Sequence, residues 1–319
     1  MTPDTAALAF TQETRAETRP RARLTVAQPV DTINREPFAF THNLHELELF
    51  GMDSLRALAE RTARCPWDFF VAQGAPQPAA SFYEVPHGGF APHEAIDRLG
   101  ETSLRVLLKR PELHDPRFHD LKHRLLEQIF DLDPALRRER ILRLDSAVFI
   151  TSSGTTTPFH YDAEIAFFFQ VAGEKRYHVY SPAAVSEPEL ERYFGRGARN
   201  VGQIDLATRD SRLEHCYRLH AGDGFHQPHH APHWVETGLG RSVSYSLVFE
   251  TASTRRQDRA RAFNHYLRKS GVRPRPVSKS PAMDALKAAA MRLGLPARRR
   301  LNRLLGYLRR YQDPSLYDV

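Results

Sequence analysis

The spacing of hydrophobic positions changes near residue 140 of this 319-residue chain. Before that point apolar residues mostly recur every three to four positions, which predicts helices; beyond it they alternate, which predicts strands. The helix-like segments are 53–59, 93–110, 117–130 and 134–140, with strand-like segments at 37–40 and 81–85. The later strand-like segments are 141–151, 164–171, 176–180, 216–220, 233–237 and 242–250, and helical spacing returns from 255.

The predicted strands are short and are joined by turns rich in Gly and Pro, which is typical of an antiparallel barrel or sandwich. Residues 183–215 are more polar and predict a long excursion, with a helix near 188–193. The first thirty residues lack apolar periodicity, which predicts a mobile leader. We therefore expect a leader (1–30), α/β elements packed on the barrel (31–140), a β core (141–252) and a basic helical segment (253–319).

Composition adds the class of protein and its compartment. Hydrophobic residues make up 41% and charged residues 26% of the chain, as in soluble globular proteins. No apolar run reaches the roughly eighteen residues of a membrane span, and the N-terminus has no apolar signal-peptide core. The two cysteines, Cys65 and Cys216, do not form a disulfide framework. We expect a cytoplasmic protein.

The charge is concentrated at the C-terminal end. Residues 251–319 carry 17 Lys and Arg against 4 Asp and Glu, whereas the rest of the chain carries 28 against 34. Within this segment an apolar stripe runs at helical spacing, through Leu301, Leu304, Leu305, Leu308 and Tyr311. It predicts an amphipathic basic helix. The helix could dock on the barrel or pair with a second copy in a homodimer; contact with nucleic acid or a membrane is less favoured.

A candidate metal site lies among the predicted strands. His160 and Asp162 are two residues apart, so on a strand their side chains share a face. His233 belongs to a later strand that a rolled-up sheet would bring alongside. Two imidazoles and one carboxylate form the facial triad of iron(II) oxygenases, which leaves coordination positions open. A His-x-Asp tripeptide alone is weak evidence, because a surface strand carries such a pair by chance.

The amino-acid sequence around the triad makes the prediction of a metal site more specific. One block runs from Thr157-Pro158 through His160 and Asp162 to Phe167–Gln170, Gly173-x-Lys175-Arg176 and Tyr180-Ser181-Pro182; the other runs from Gly222-Asp223-Gly224-Phe225 through Pro228 to His233-Trp234-Val235. With these blocks the chain resembles the jumonji-C-like, cupin-type 2-oxoglutarate oxygenases. The resemblance covers roughly 35–255 and is strongest to the branch that contains the factor-inhibiting-HIF asparaginyl hydroxylase.

The resemblance implies a mainly β fold: a double-stranded β-helix (jelly-roll or cupin) core with helical N-terminal additions and C-terminal helices. It also implies Fe(II) at His160, Asp162 and His233, and 2-oxoglutarate held by Thr157 and Lys175. An ammonium and a hydroxyl suit a carboxylate, because they provide charge and a directed hydrogen bond. The implied reaction uses O2, most simply to hydroxylate a protein side chain or small metabolite, and releases succinate and CO2.

Several neighbouring residues have plainer roles. Lys175 follows a turn and would be taken for a surface lysine without the family spacing, with Arg176 as the second candidate for the carboxylate. The aromatic run 167–169 is expected to be core, with Phe168 at most lining the cosubstrate pocket. His226 is expected to be a partly buried strand residue. His229 and His230 are expected in a turn, at the pocket mouth or in solvent.

The substrate pocket departs from that branch of the family at Ala166, Val248 and Glu250, so the known substrate of the asparaginyl hydroxylase does not carry over. Two other functions remain open. The first is a non-catalytic cupin-like protein that binds a metal or regulates transcription. The second is a cupin-type metalloenzyme that works without 2-oxoglutarate.

Overall fold

A computed structural model describes residues 21–27, 33–81, 88–196, 202 and 205–304, with the side chains of 295–304 excluded. Two antiparallel sheets dominate it. The strands of the larger sheet are, in spatial order, β1 (Leu24–Thr25), β2 (Phe38–His42), β10 (Asp223–Gln227), β7 (Ile165–Ala172), β12 (Ser242–Thr251), β5 (Ile141–Thr151), β4 (Leu104–Lys109) and β3 (Phe69–Gln73). Those of the smaller sheet are β6 (Thr156–His160), β11 (His233–Thr237), β8 (Lys175–Tyr180) and β9 (Glu214–Leu219).

The order of the strands explains why a site can form between distant parts of the sequence. Strand β7 lies between β10 and β12, and β11 lies between β6 and β8, so from β5 to β12 the chain crosses to the other sheet at every step except between β8 and β9. This is the double-stranded β-helix arrangement that the resemblance implied. The strands β6 and β8 therefore meet β11 and β9, which come much later in the chain, in the smaller sheet.

Helices cover the outer face of the larger sheet, and two further helices follow the last strand. The helices are α1 (Met52–Thr62), α2 (Pro92–Asp97), α3 (Pro116–Leu132), α4 (Pro134–Arg137), α5 (Glu187–Gly195), α6 (Ala252–Lys269) and α7 (Pro281–Leu304). The main core lies between α1, α3 and the larger sheet, where Leu55, Leu125 and Tyr245 are fully buried. A smaller core between the sheets includes Phe168, Val179 and Phe225. A third cluster, with Tyr161 and Leu190, connects α5 to the barrel.

Most predicted elements after residue 140 are confirmed within a residue or two. The segment 93–110, predicted as one helix, is wrong in its second half: α2 ends at Asp97, and Leu104–Lys109 is the strand β4. Leu104, Val106 and Leu108 are all fully buried, so the true period there is two. The hydrophobic pattern did not predict the strands β1, β3, β6 and β10.

The predicted leader also needs a correction, because Leu24–Thr25 within it pairs with β2. Outside the described residues lie the rest of the predicted leader (1–20 and 28–30), residues 82–85 of the predicted strand at 81–85, and residues 305–319. So do the side chains of the apolar stripe at 301–311, although α7 confirms a helix as far as Leu304.

Candidate active site

Strand pairing places the histidines of the triad opposite each other. His233 on β11 faces His160 on β6, and two residues further along β11 Val235 faces Thr157. Three steps on β6 thus correspond to two on β11, because β6 contains a bulge. In a regular strand Thr157 and His160 would point to opposite faces, so the bulge brings both to the same face. Lys175 on β8 faces Thr237, four residues after His233, and shares that face.

The two imidazoles and the Asp162 carboxylate converge. His160 Nε2 is 3.8 Å from Asp162 Oδ1, and His233 Nε2 is 3.7 Å from Asp162 Oδ2. Each ring is also held from behind, because His160 Nδ1 lies 2.6 Å from the carbonyl of Pro158 and His233 Nδ1 lies 3.1 Å from that of Ala231. If each Nδ1 donates to its carbonyl, both Nε2 atoms keep a lone pair directed at the shared centre.

The electrostatics fit a divalent cation. Burial lowers the pKa of His160 to about 3 and also lowers the pKa of His233, so both rings are neutral at pH 7, as metal ligands must be. Asp162 supplies the negative charge, and its side chain is 31% exposed towards an opening. Two neutral imidazoles, one carboxylate and an accessible side match the requirements of an iron(II) oxygenase site.

Two buried cations lie further along the same face. Lys175 is 4% exposed and Arg105, from β4 of the opposite sheet, is 7% exposed. Within the described residues neither forms an ion pair with Asp or Glu. Burial, and then the charge of Arg105, lowers the pKa of Lys175 to about 7, and burial lowers the pKa of Arg105 to about 10. Two buried cations without a counter-charge form a pocket for an anion.

Thr157 links this pocket to the triad strand. Arg105 Nη1 donates to Thr157 Oγ1 at 2.8 Å, which leaves the threonine hydroxyl hydrogen available for a ligand. The rings of Phe149 and Phe168 lie 5.6 and 5.5 Å from Lys175 Nζ and form apolar walls. Phe168 therefore lies beside Lys175, and its place in a cosubstrate pocket stays a prediction.

Sequence reasoning missed three residues beside the predicted set. Arg105 was hidden in a segment read as helix. Tyr177 stacks on His233, with ring centroids 5.3 Å apart, and its hydroxyl donates to Gln227 Oε1 at 2.9 Å. Gln227 Nε2 is buried and, in the described part of the chain, has no hydrogen-bond partner. The alternation Lys175–Tyr177 on one strand face was the available signal for Tyr177.

The surroundings of the other residues considered in the sequence analysis indicate their roles. Arg176 points away from the pocket and lies 3.8 Å from Glu236, with 54% of its side chain exposed. His226 is a fully buried strand residue, as expected, although burial is complete rather than partial. Its Nε2 accepts from the N–H of Asn34 at 2.9 Å. His229 and His230 do lie in a turn, but they are buried, so the expectation of solvent exposure is wrong.

The three positions at which the pocket is expected to depart from that branch lie on the neighbouring strands β7 and β12. Ala166 is buried on β7 and faces Gln227 on β10. Val248 faces Ala166 on the other side of β7. Glu250 forms a bidentate ion pair with Arg255, in which Arg255 Nε lies 2.7 Å from Glu250 Oε1.

Across the described residues, no helix is both long enough and apolar enough to cross a membrane. Residues 124–256 match the family of the JmjC domain. No relative was found among proteins with curated functions.

Solved structures provide the remaining similarities. The ribosomal oxygenase YcfD of Escherichia coli is similar over 86% of this chain and 68% of that chain, with 21% identity and a TM-score of 0.47. A structure of YcfD in complex with cobalt and 2-oxoglutarate matches equally well. The DMSP lyase DddQ of Ruegeria pomeroyi DSS-3 matches over 34% of this chain and 38% of its own, with 18% identity and a TM-score of 0.22. Since these TM-scores are below 0.5, functional assignment rests on the domain match and on the site.

Proposed function

We propose that the chain is an iron(II)- and 2-oxoglutarate-dependent oxygenase, because residues 124–256 match the JmjC domain, and that His160, Asp162 and His233 are its iron ligands. We propose further that Lys175, Arg105 and Thr157 hold the distal carboxylate of 2-oxoglutarate. This proposal rests on a single observation: the triad shares one face of the barrel with two buried cations, for which the described residues supply no acidic partner.

The residues of this chain bind and orient the iron and 2-oxoglutarate and exclude water from their pocket. When bound, iron(II) and 2-oxoglutarate together supply the activation of O2. Lys175 and Arg105 neutralise the distal carboxylate, and Thr157 donates a directed hydrogen bond to it. Phe149 and Phe168 exclude water from the pocket and so strengthen these interactions. The Tyr177 ring, stacked on His233, fixes the orientation of that imidazole.

The substrate is proposed to be a protein side chain or a small metabolite, which the enzyme hydroxylates. A reshaped pocket supports a substrate other than that of the asparaginyl hydroxylase. Ala166 takes little space, and the buried Nε2 of Gln227 next to it offers a donor for a polar group. Replacement of Gln227 by Glu or Leu would therefore change substrate preference more than succinate formation without substrate.

Turnover of 2-oxoglutarate tests this function. Purified protein with iron(II), ascorbate and air should convert 2-oxoglutarate to succinate slowly without substrate, measured by mass spectrometry. Asp162→Ala should lower the rate at least about 100-fold, whereas Arg176→Met, next to Lys175 but outside the pocket, should keep it. Equal succinate formation by wild type and Asp162→Ala would contradict the proposal.

A non-catalytic, metal-binding or regulatory cupin is the second candidate. It would bind iron(II) at the triad and give no succinate above the Asp162→Ala background. The third, a metalloenzyme without 2-oxoglutarate, predicts that Lys175→Met leaves all activity intact. Lys175 and Arg105 are buried and have no acidic partner among the described residues, which favours 2-oxoglutarate binding over both alternatives.

We also propose a homodimer through the C-terminal helices in the cytoplasm. On α7, Leu286 and Leu293 are 64% and 76% exposed, although both are large and apolar. Both cysteines are free, which suits a reducing compartment. Leu286→Ser/Leu293→Ser should shift the mass seen by light scattering from dimer to monomer with little loss of stability. A dimer that persists in this variant, or a monomeric wild type, would reject this interface.

A further inference from the structure

A second cluster of two histidines and one aspartate lies outside the triad. His229 and His230 belong to the loop between β10 and β11, and Asp258 belongs to α6. His229 Nε2 is 3.4 Å from Asp258 Oδ2, and His230 Nε2 is 3.3 Å from Asp258 Oδ1. The cluster therefore has the donor set of the triad. In both clusters the carboxylate lies between two Nε2 atoms, and the spacing here is shorter than the 3.7 and 3.8 Å of the triad.

The converging atoms are buried and lack ordinary partners. His229, His230 and Asp258 are 6%, 3% and 8% exposed. Within the described residues, His229 Nε2, His230 Nε2 and Asp258 Oδ1 have no hydrogen-bond partner. Leaving such a group without a hydrogen bond costs about 1–3 kcal/mol, so an ion that contacts all three atoms would stabilise this cluster.

The distances discriminate between a hydrogen-bonded network and a metal site. Hydrogen bonds from an imidazole to a carboxylate are about 2.7–2.9 Å long, shorter than the distances in this cluster. A tetrahedral ion with bonds of about 2.0–2.1 Å holds its ligand atoms about 3.3–3.4 Å apart. The observed distances of 3.3 and 3.4 Å equal this separation.

The backbone holds the imidazoles in this position. His230 has φ of 66°, in the left-handed region that a residue with a side chain adopts at a cost of about 1 kcal/mol or more. Its N–H donates to the carbonyl of Asp162 at 3.3 Å. A strained loop anchored to the triad segment keeps both side chains directed at α6.

Arg261 is a charged neighbour that a cation would have to displace. Its Nη1 lies 3.5 Å from Asp258 Oδ1 and 3.5 Å from His230 Nδ1, while its Nη2 donates to Glu187 Oε1 at 3.0 Å. Glu187 Oε2 is buried and, within the described residues, accepts no hydrogen bond. The guanidinium can therefore turn fully onto Glu187, which frees Asp258 and the Nδ1 side of His230.

We propose that His229, His230 and Asp258 bind a second divalent transition-metal ion, most simply Zn2+. Three protein ligands leave a fourth position, and a cavity of about 360 Å3 lined by both histidines can supply water there. The ion connects the loop that leads to His233 with α6, so it braces the side of the triad from which the third ligand comes.

Metal titration of a triad-blocked chain tests this site. In full-length His160→Gln/Asp162→Asn protein, calorimetry should show one equivalent of Zn2+, and bound Zn2+ should raise the melting temperature. Addition of Asp258→Asn should abolish both effects. His220→Gln, which changes an exposed histidine outside the cluster, should leave both unchanged.

Further measurements keep the test decisive if Asp258→Asn unfolds. His229→Gln in the triad-blocked chain should also abolish binding. Co2+ at the second site should give the intense visible bands of tetrahedral cobalt. The wild-type protein, in which both sites are intact, should bind two equivalents of metal. The proposal is overturned if the folded triad-blocked chain binds no Zn2+, or if His229→Gln and Asp258→Asn leave its binding unchanged.

Discussion

Burial distinguishes Lys175 from the arginine next to it. Lys175 is 4% exposed, whereas Arg176 keeps 54% of its side chain in solvent. Sequence alone offered both residues, because both follow the same turn and either could meet a carboxylate. The pairing of Lys175 with Thr237 decides between them, since it fixes which of the two side chains faces the triad.

Binding of 2-oxoglutarate should depend on pH through Lys175. Its pKa, lowered by burial to about 7, rises when a carboxylate binds beside it. Below pH 7 the ammonium is already charged, and affinity should vary little. Above pH 7 binding must take up a proton, so the Kd should rise up to about tenfold per pH unit. Anaerobic calorimetry with Mn2+ in place of iron measures this, and Lys175→Met should remove the dependence.

Removal of the other cation should weaken the cosubstrate rather than the metal. Arg105→Met keeps the length of the side chain and removes a buried charge that holds Thr157. We expect a loss of about 2 kcal/mol or more, or about 30-fold in the Kd of 2-oxoglutarate. Arg176→Met is the matched control. Loss of metal binding, or an unchanged 2-oxoglutarate affinity, would argue against the role of Arg105.

At the scale of elements, most strands from 141 to 250 could be predicted because alternation and turn residues agree there, with β6 and β10 as the exceptions. The segment 93–110 could not, since Ile96, Leu99 and Leu104 also fit helical spacing and the break after Asp97 has no proline. That error concealed Arg105. The bulge in β6 was equally hidden, because it is visible only against β11.

The turn before β8 should be sensitive to substitution. Gly173 has φ of 71°, and a Cβ there would lie 2.4 Å from the carbonyl oxygen of Arg241. Gly173→Ala should therefore lower the free energy of unfolding by about 2–4 kcal/mol and weaken 2-oxoglutarate binding by shifting Lys175. Gly240→Ala, with φ of 81° and open space around it, should cost only about 1 kcal/mol. Urea denaturation compares the two, and equal losses would contradict the steric argument.

At the scale of the whole molecule, the alternation of strands between sheets assembles the site from residues 105–237. The triad and Lys175 could be predicted because two sequence blocks resemble a known family. Asp258 could not, because it lies in a basic helix beyond those blocks and meets His229 and His230 only in the folded chain. Long-range contacts of this kind leave no local pattern in the sequence.

Anaerobic visible absorption tests the central claim most directly. With iron(II) and 2-oxoglutarate both bound at the triad, the protein should show a metal-to-ligand charge-transfer band that neither component gives alone. His233→Ala should abolish the band, Lys175→Met should require far more 2-oxoglutarate to reach it, and Arg176→Met should match the wild type. The absence of a band in folded wild-type protein, or a band that survives in His233→Ala, would contradict the account.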